Sequence, residues 1–314
     1  QIAFIFLIGY PVLRITLVDT KHIWLLIYIM ILTGMSIAVI MMLFYLIGVE
    51  YGLGNIIEIG WKGRLSYGQM EPNVPARILL QIIPLCFIAI LRSKRVLNKI
   101  IFITCIAIVL LAVFLTASRS SLLIVIIGSF FLLISYIKMA KKINFSYLIL
   151  FAAIQLSLFY YINTIDSAFY KTPVERYTTI IEPKYSPSSL DRLQLLDKGI
   201  DYIAKNPFLG LGLENSNYYT GSSIHNPIVL TWVENGILGM LGFLGIYAVF
   251  FIIGRECYRK KYFNDELLMA FVVMAGMMVL GDMFMANSYK RFLWLPSLLM
   301  MVRYRQCISN IVEQ

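Results

Sequence analysis

Long apolar runs separated by short polar intervals make up most of the chain. A run of about 17 or more apolar residues is long enough to cross about 30 Å of hydrocarbon as a helix. The pattern predicts about nine such spans, roughly 1–18, 23–48, 77–91, 99–117, 120–137, 145–162, 226–254, 265–286 and 291–303, with the third and ninth short by this standard. The runs are continuously apolar and much longer than the roughly 11 residues of a barrel strand, which excludes a transmembrane barrel. The expected fold class is therefore an all-α integral membrane protein, a polytopic helical bundle. Membrane helices are expected over 1–162, with a first outer loop at 49–76. A large outer loop carrying an amphipathic helix is expected at 163–225, and further membrane helices with a cytoplasmic tail at 226–314.

Composition agrees: 60% of the residues are hydrophobic and only 14% charged, with a mean hydropathy of +0.79, outside the soluble globular range. A formal net charge of +10 raises the question of nucleic acid. The cations, however, sit in short clusters between apolar runs: Arg92–Lys99, Lys138–Lys142, Arg255–Lys261 and Arg303–Arg305. These fall on alternate connections, so they mark one face as cytoplasmic, and no nucleic-acid partner is expected. The intervals 49–76, 118–119, 163–225 and 287–290 then face outward. Four cysteines lack any CxxC or zinc spacing, and neither a metal nor a disulfide is expected. The chain begins at Gln1 inside an apolar run, and an odd span count puts residue 1 outside, so upstream helices are expected to precede it.

Residues 188–226 form the longest polar, loop-rich interval. Ser188 and Asp191 form a capping-box-like S-x-x-D. Leu190, Leu193, Leu196, Ile200 and Ile203 then recur at helical spacing, predicting an amphipathic helix that lies at the outer membrane surface or caps the bundle. Asn206-Pro207 ends it, and Gly210 and Gly212 allow a tight turn on the way to His225.

Four outer-face residues are candidates for chemistry. His225 directly precedes the seventh span and is the outer-face side chain whose ordinary pKa suits a general base; the plain alternative is an interfacial histidine bonded to a loop carbonyl. Arg119, at the tip of a hairpin between two spans, either snorkels to headgroups or holds phosphate oxygens. Arg64 in the first outer loop and Arg192 in the first turns of the amphipathic helix are either solvated charges or anion ligands. Glu234 and Asp282 lie inside predicted spans, where acids are functional candidates or structural partners of an arginine. Asp197 and Asp201 share a helix face without a histidine or D-x-D nearby, which argues against a metal. Three arginines and a histidine on one face suit binding of a lipid-linked diphosphate and deprotonation of an acceptor.

Ordered blocks in the chain resemble the O-antigen ligase/polymerase family of bacterial membrane glycosyltransferases. They are Arg64-x-x-x-Gly68 with Pro72-Asn73; Thr116-Ala117-Ser118-Arg119; Arg192; Asn206-Pro207-Phe208-Leu209-Gly210-Leu211-Gly212; His225-Asn226; and Glu234-Asn235-Gly236-Ile237-Leu238-Gly239. Pro227 directly after His225-Asn226 departs from the family pattern. The resemblance implies a GT-C-like helical glycosyltransferase of the bacterial inner membrane, with its active site on the periplasmic or extracellular face. It implies an undecaprenyl-diphosphate-linked oligosaccharide donor and inverting, metal-independent transfer without a cofactor. It casts His225 as the base, Arg64, Arg119 and Arg192 as diphosphate ligands, and Asn226 and Glu234 in support. The family's dozen or so spans again imply missing upstream helices. The leading expectation is a polymerase of O-antigen or capsule repeat units, with membrane lipids around it and a polysaccharide chain-length regulator as a partner to be sought. The alternatives are a ligase whose acceptor is lipid A-core, a lipid-linked oligosaccharide transporter using the same arginines without chemistry, or a structural membrane scaffold.

Overall fold

The computed structural model describes residues 5–50, 64–66, 71–139, 187–259, 265–284 and 294–312. The sixth predicted span, 145–162, and most of the first outer loop lie outside the described residues. A π-helical turn, Ile5–Gly9, leads into α1 (Tyr10–Thr16), followed by α2 (Thr20–Glu50), α3 (Asn73–Leu80), α4 (Ile82–Arg92), α5 (Val96–Leu115) and α6 (Arg119–Met139). Then come α7 (Pro187–Lys205), α8 (Ser216–Thr220), α9 (Pro227–Arg259), α10 (Glu266–Phe284) and α11 (Leu295–Val312). No strand occurs among the described residues. Five stretches among them are long and apolar enough to cross a membrane: Thr20–Tyr45, Asn73–Arg92, Val96–Leu115, Pro227–Arg259 and Glu266–Phe284. The protein is an all-α polytopic membrane protein.

Three spans differ from the sequence pattern. The third begins four residues earlier than hydropathy places it, because Asn73 and Arg77 are both buried in α3. The chain passes from α3 to α4 through Gln81 without leaving helical geometry. In the first, Pro11 has no N–H to offer the carbonyl of Leu7; the turn before it is widened, and among the described residues the apolar helix covers Ile5–Thr16. The last helix starts at Leu295 and continues past the predicted end to Val312.

The chain divides into two compact units: Thr16–Glu182, here the N-terminal unit, and Gln1–Ile15 with Pro183–Gln314, the C-terminal unit. In the N-terminal unit α3–α4 is the central element, with 83% of its membrane window buried. It packs against α2 and α5. Gly34 lets α2 approach closely: a Cβ there would sit 2.5 Å from Cγ1 and Cδ1 of Ile82. Small residues at helix crossings serve this purpose in membranes, where packing rather than water exclusion drives association. Tyr28 of α2 stacks on Phe102 of α5 at 6.3 Å, and the Arg92 guanidinium lies 4.5 Å above the Trp24 ring.

The C-terminal unit packs α10 against α9 and α11. Phe6, Phe243, Tyr247 and Phe250 surround Trp294, with centroid separations of 5.6 to 6.4 Å from it. Asp282, buried in α10, accepts a 2.7 Å hydrogen bond from the Tyr247 hydroxyl. Asp265 caps the N-terminus of α10 by accepting from the Leu268 amide at 2.8 Å. It also takes two bonds from Arg303 of α11, at 2.6 and 3.2 Å. A bidentate arginine pair of this kind fixes the relative register of the two helices.

Replacing Gly34 by Ala is expected to destabilise the detergent-solubilised protein, by about 1–3 kcal/mol. Replacing Gly242 by Ala, where nothing lies within 4 Å of the new Cβ, is expected to leave stability unchanged or raise it by a few tenths of a kcal/mol. Thermal unfolding of the two variants side by side checks this; equal shifts would contradict the close crossing.

Candidate functional site

In the C-terminal unit the site is built on a break in α9. Gly236 has φ 67° and ψ −172°, a region essentially reserved for glycine. The break frees helical hydrogen-bonding groups on both sides, and the loop 207–212 takes them up. The Leu211 amide donates to the Val233 carbonyl at 2.7 Å, and the Gly212 amide to the Glu234 carbonyl at 2.9 Å. In return the Ile237 amide donates to the Pro207 carbonyl at 3.0 Å, which also accepts from the Trp232 indole at 3.0 Å. The loop thus stands in for the missing helical turn and supplies partners to main-chain groups that the break frees.

The fit leaves no room for side chains at two points. A Cβ on Gly210, itself at φ 71°, would lie 2.6 Å from the Gly236 nitrogen, and one on Gly236 would coincide with the Phe208 carbonyl. The sequence blocks 206–212 and 234–239 are therefore one physical object. Glu234 reinforces it from the side, accepting a 2.5 Å hydrogen bond from the Ser216 hydroxyl and so tying α8 to α9.

His225 stands just before this frame. Asn226 caps α9, its Oδ1 accepting from the Ile228 and Val229 amides at 3.0 and 3.1 Å. Pro227 occupies the first helical position, where its missing N–H costs nothing and its fixed φ suits a helix. Ile224, on the other side of His225, is buried with Leu230 and Val233, and Tyr202, Ile203 and Leu211 pack around them. The half-buried histidine is thus held between a buried neighbour and a capping neighbour. Arg192 is half-buried in α7, whose contact with α9 passes through the buried Gly199 together with Tyr202 and Ile203. Of the apolar stripe along α7, Ile203 packs towards α9, whereas Leu193 and Ile200 are exposed.

The N-terminal unit gathers the other two arginines. Arg64 is buried; its Nε donates to the Thr116 carbonyl at 2.8 Å and its Nη2 to Asn73 Oδ1 at 3.2 Å. The Leu65 amide adds a 2.9 Å bond to the Leu115 carbonyl. Arg64 thereby pins the first outer loop to the C-terminus of α5 and the N-terminus of α3, with Asn73 held in turn by Glu71 at 2.5 Å. The Thr116 carbonyl is one of the orphan acceptors at a helix end, and a guanidinium there also answers the helix dipole. Arg119 opens α6 three residues further on. Between them Ala117 takes φ 50°, a costly conformation for a residue with a Cβ. Ser118 Oγ lies 2.8 Å from Ser121 Oγ, and the Ser121 amide points to it at 3.4 Å. A helix N-terminus carrying an arginine and several hydroxyls suits an anion.

Arg77 was passed over by the pattern because it opens an apolar run. It is buried one helical turn beyond Asn73, on the same face of α3. An arginine inside a span is itself the signal that marks it. Among the described residues no group of histidines, cysteines and acids has the arrangement of a metal site.

The features so far define a class: a multi-span helical membrane protein with a glycine-rich loop locked onto a broken helix, and arginines at helix termini. Residues 103–244 match the family model described as O-Antigen ligase. That match bears out the resemblance to the O-antigen ligase/polymerase family, whose members are membrane glycosyltransferase-like enzymes. The matched stretch includes Arg119, Arg192, His225 and Glu234, whereas Arg64 precedes it. No curated protein matches the chain.

Replacing Gly236 by Ala is expected to cost about 1–3 kcal/mol of local stability from the backbone alone. The amides of Leu211, Gly212 and Ile237 then exchange with deuterium faster than in the wild type. Unchanged exchange across the loop would show that the clamp does not depend on glycine. Replacing Arg64 by Met is expected to loosen the α5–α6 turn. Peptides spanning 113–118 then exchange faster, while peptides of α10 in the C-terminal unit serve as an unaffected reference.

Proposed function

We propose that the chain is a polysaccharide polymerase: a membrane glycosyltransferase that extends surface-polysaccharide repeat units from an undecaprenyl-diphosphate-linked oligosaccharide donor. In this reading the imidazole of His225 takes the proton from an acceptor sugar hydroxyl. The hydroxyl oxygen attacks the donor's anomeric carbon from the side opposite the diphosphate. The bond from that carbon to the diphosphate oxygen breaks, configuration inverts, and the lipid diphosphate leaves with the electron pair. Arg64, Arg119 and Arg192 neutralise its developing charge, a stabilisation of the oxyanion type that needs no metal. With Nε and Nη2 already engaged, Arg64 supplies a fixed positive charge, while Arg119 brings its charge to a helix N-terminus. The reaction would take place at the periplasmic or extracellular face of the inner membrane.

The observation that carries this reading is the fixing of His225, inside the family-matched stretch, between buried Ile224 and the capping Asn226. A general base must be held still to act on a hydroxyl. A transporter binding the same donor would not need it. Asn226 and Glu234 support the base through the helix start and the loop frame. A second reading, transfer of finished polymer to lipid A-core, is favoured by the matched family's own description as a ligase.

Liposomes holding the purified protein, undecaprenyl-diphosphate-linked repeat unit and EDTA test the proposal. A ladder of longer lipid-linked products is expected. His225→Ala should lower its rate by about 10²–10⁴-fold, and Arg119→Ala by about 10–100-fold, the worth of a charged hydrogen bond. Transfer only after lipid A-core is added would replace the polymerase by the ligase. A wild-type protein inert with both acceptors would sink the transferase reading.

A further inference from the structure

The loop that clamps α9 carries its own apolar surface, and that surface faces outward. Phe208 is 72% exposed, Leu209 88% and Leu213 73%. Their neighbours Pro207, Leu211 and Gly212 are bonded into the clamp and Gly210 lies against Gly236, so the exposed side chains flank the anchored segment. A water-facing loop has no reason to display three large apolar residues in six positions.

The position of the break indicates what covers them. From Gly236 to the basic cluster that opens at Arg255 is 19 residues, about 28 Å of helix and close to the about 30 Å of a hydrocarbon core. With Arg255 and Arg259 at one boundary, Gly236 falls at the opposite one. The loop is bonded to residues 233–237 and therefore lies at that boundary too. Leu238, one residue pair beyond the break, is 78% exposed, and Leu241, Phe251 and Ile252 continue the apolar face of α9. Phe208 and Leu209 thus sit at the height where the exposed apolar face of the span begins. Trp232, bonded to the same Pro207 carbonyl, and Tyr219, in ring contact with Tyr218 at 5.3 Å and with Tyr202 at 5.6 Å, belong with these partners to the residue types that gather at membrane boundaries.

We infer that the loop 207–213 is a membrane anchor, inserting Phe208, Leu209 and Leu213 into the acyl region of the outer leaflet. Its occupant is bilayer hydrocarbon. Insertion reaches about 5–10 Å below the headgroup boundary, the usual depth for apolar side chains lying in an interface. Because the same clamp leads to Ile224 and the start of α9, the anchor sets the height of His225 above the bilayer. The inference needs only the membrane-spanning assignment and stands independently of which sugar-transfer reaction is catalysed.

Full-length protein in liposomes carries the test. Leu209→Cys and Leu213→Cys are labelled with a polarity-sensitive nitrobenzoxadiazole maleimide, with Asn217→Cys on the same loop region as the exposed control and wild type as the labelling blank. Labels at 209 and 213 are expected to emit as in an apolar medium. Lipids with a nitroxide high on the acyl chain should quench them more than lipids with one near its end, and aqueous iodide several-fold less than at 217. Iodide quenching equal to that at 217 would overturn the inference in favour of a solvated loop. Protection from both iodide and nitroxide lipids would also overturn it, because protein rather than lipid would then cover the tip.

Discussion

A main-chain hydrogen bond has few substitutes where a helix meets a bilayer, and the C-terminal unit turns on how that requirement is met at Gly236. Breaking a spanning helix strands carbonyl and amide groups whose desolvation costs several kcal/mol each. Here the loop 207–212 supplies the partners, giving amides to Val233 and Glu234 and receiving one from Ile237. The loop gains a fixed conformation from the same bonds. Helix and loop each complete what the other lacks, so neither is stable in this form alone. His225, Asn226 and Ile224 inherit their placement from that mutual dependence.

The N-terminal unit solves a related problem with a side chain. The end of α5 exposes the Thr116 carbonyl, and the buried Arg64 caps it while reaching Asn73 at the start of α3. The strained Ala117 is tolerated because the bonds around it hold the turn. In both units, then, groups left over at helix ends organise the polar chemistry. Membrane helices offer few other places where such groups are both present and reachable.

The spanning helices were legible because a continuously apolar run has one physical outcome in a chain this hydrophobic. Hydropathy misjudged boundaries where it is blind to mechanism. It began the third span at Arg77 and so left out Asn73, polar yet buried in α3, and it does not register the missing N–H of Pro11, before which the turn widens. Helical spacing found α7 and its apolar stripe, but not which flank of that stripe meets α9. A stripe with Leu193 and Ile200 on one flank and Gly199 and Tyr202 on the other reads as one surface, and only the neighbouring α9 selects between them. The motif blocks were legible as blocks. Their joining was not, because the clamp consists of main-chain bonds, which leave glycine and proline in the sequence but not the identity of their partners.

Reliance on the main chain also decides which parts of the loop are free to change. Pro207, Gly210 and Gly236 are fixed by geometry, whereas Phe208, Leu209 and Leu213 contribute no bond to the frame. The frame therefore acts as a socket that accepts different side chains at those three positions without being rebuilt. Bulk and polarity there can be retuned to a thicker or thinner membrane while the histidine keeps its seat.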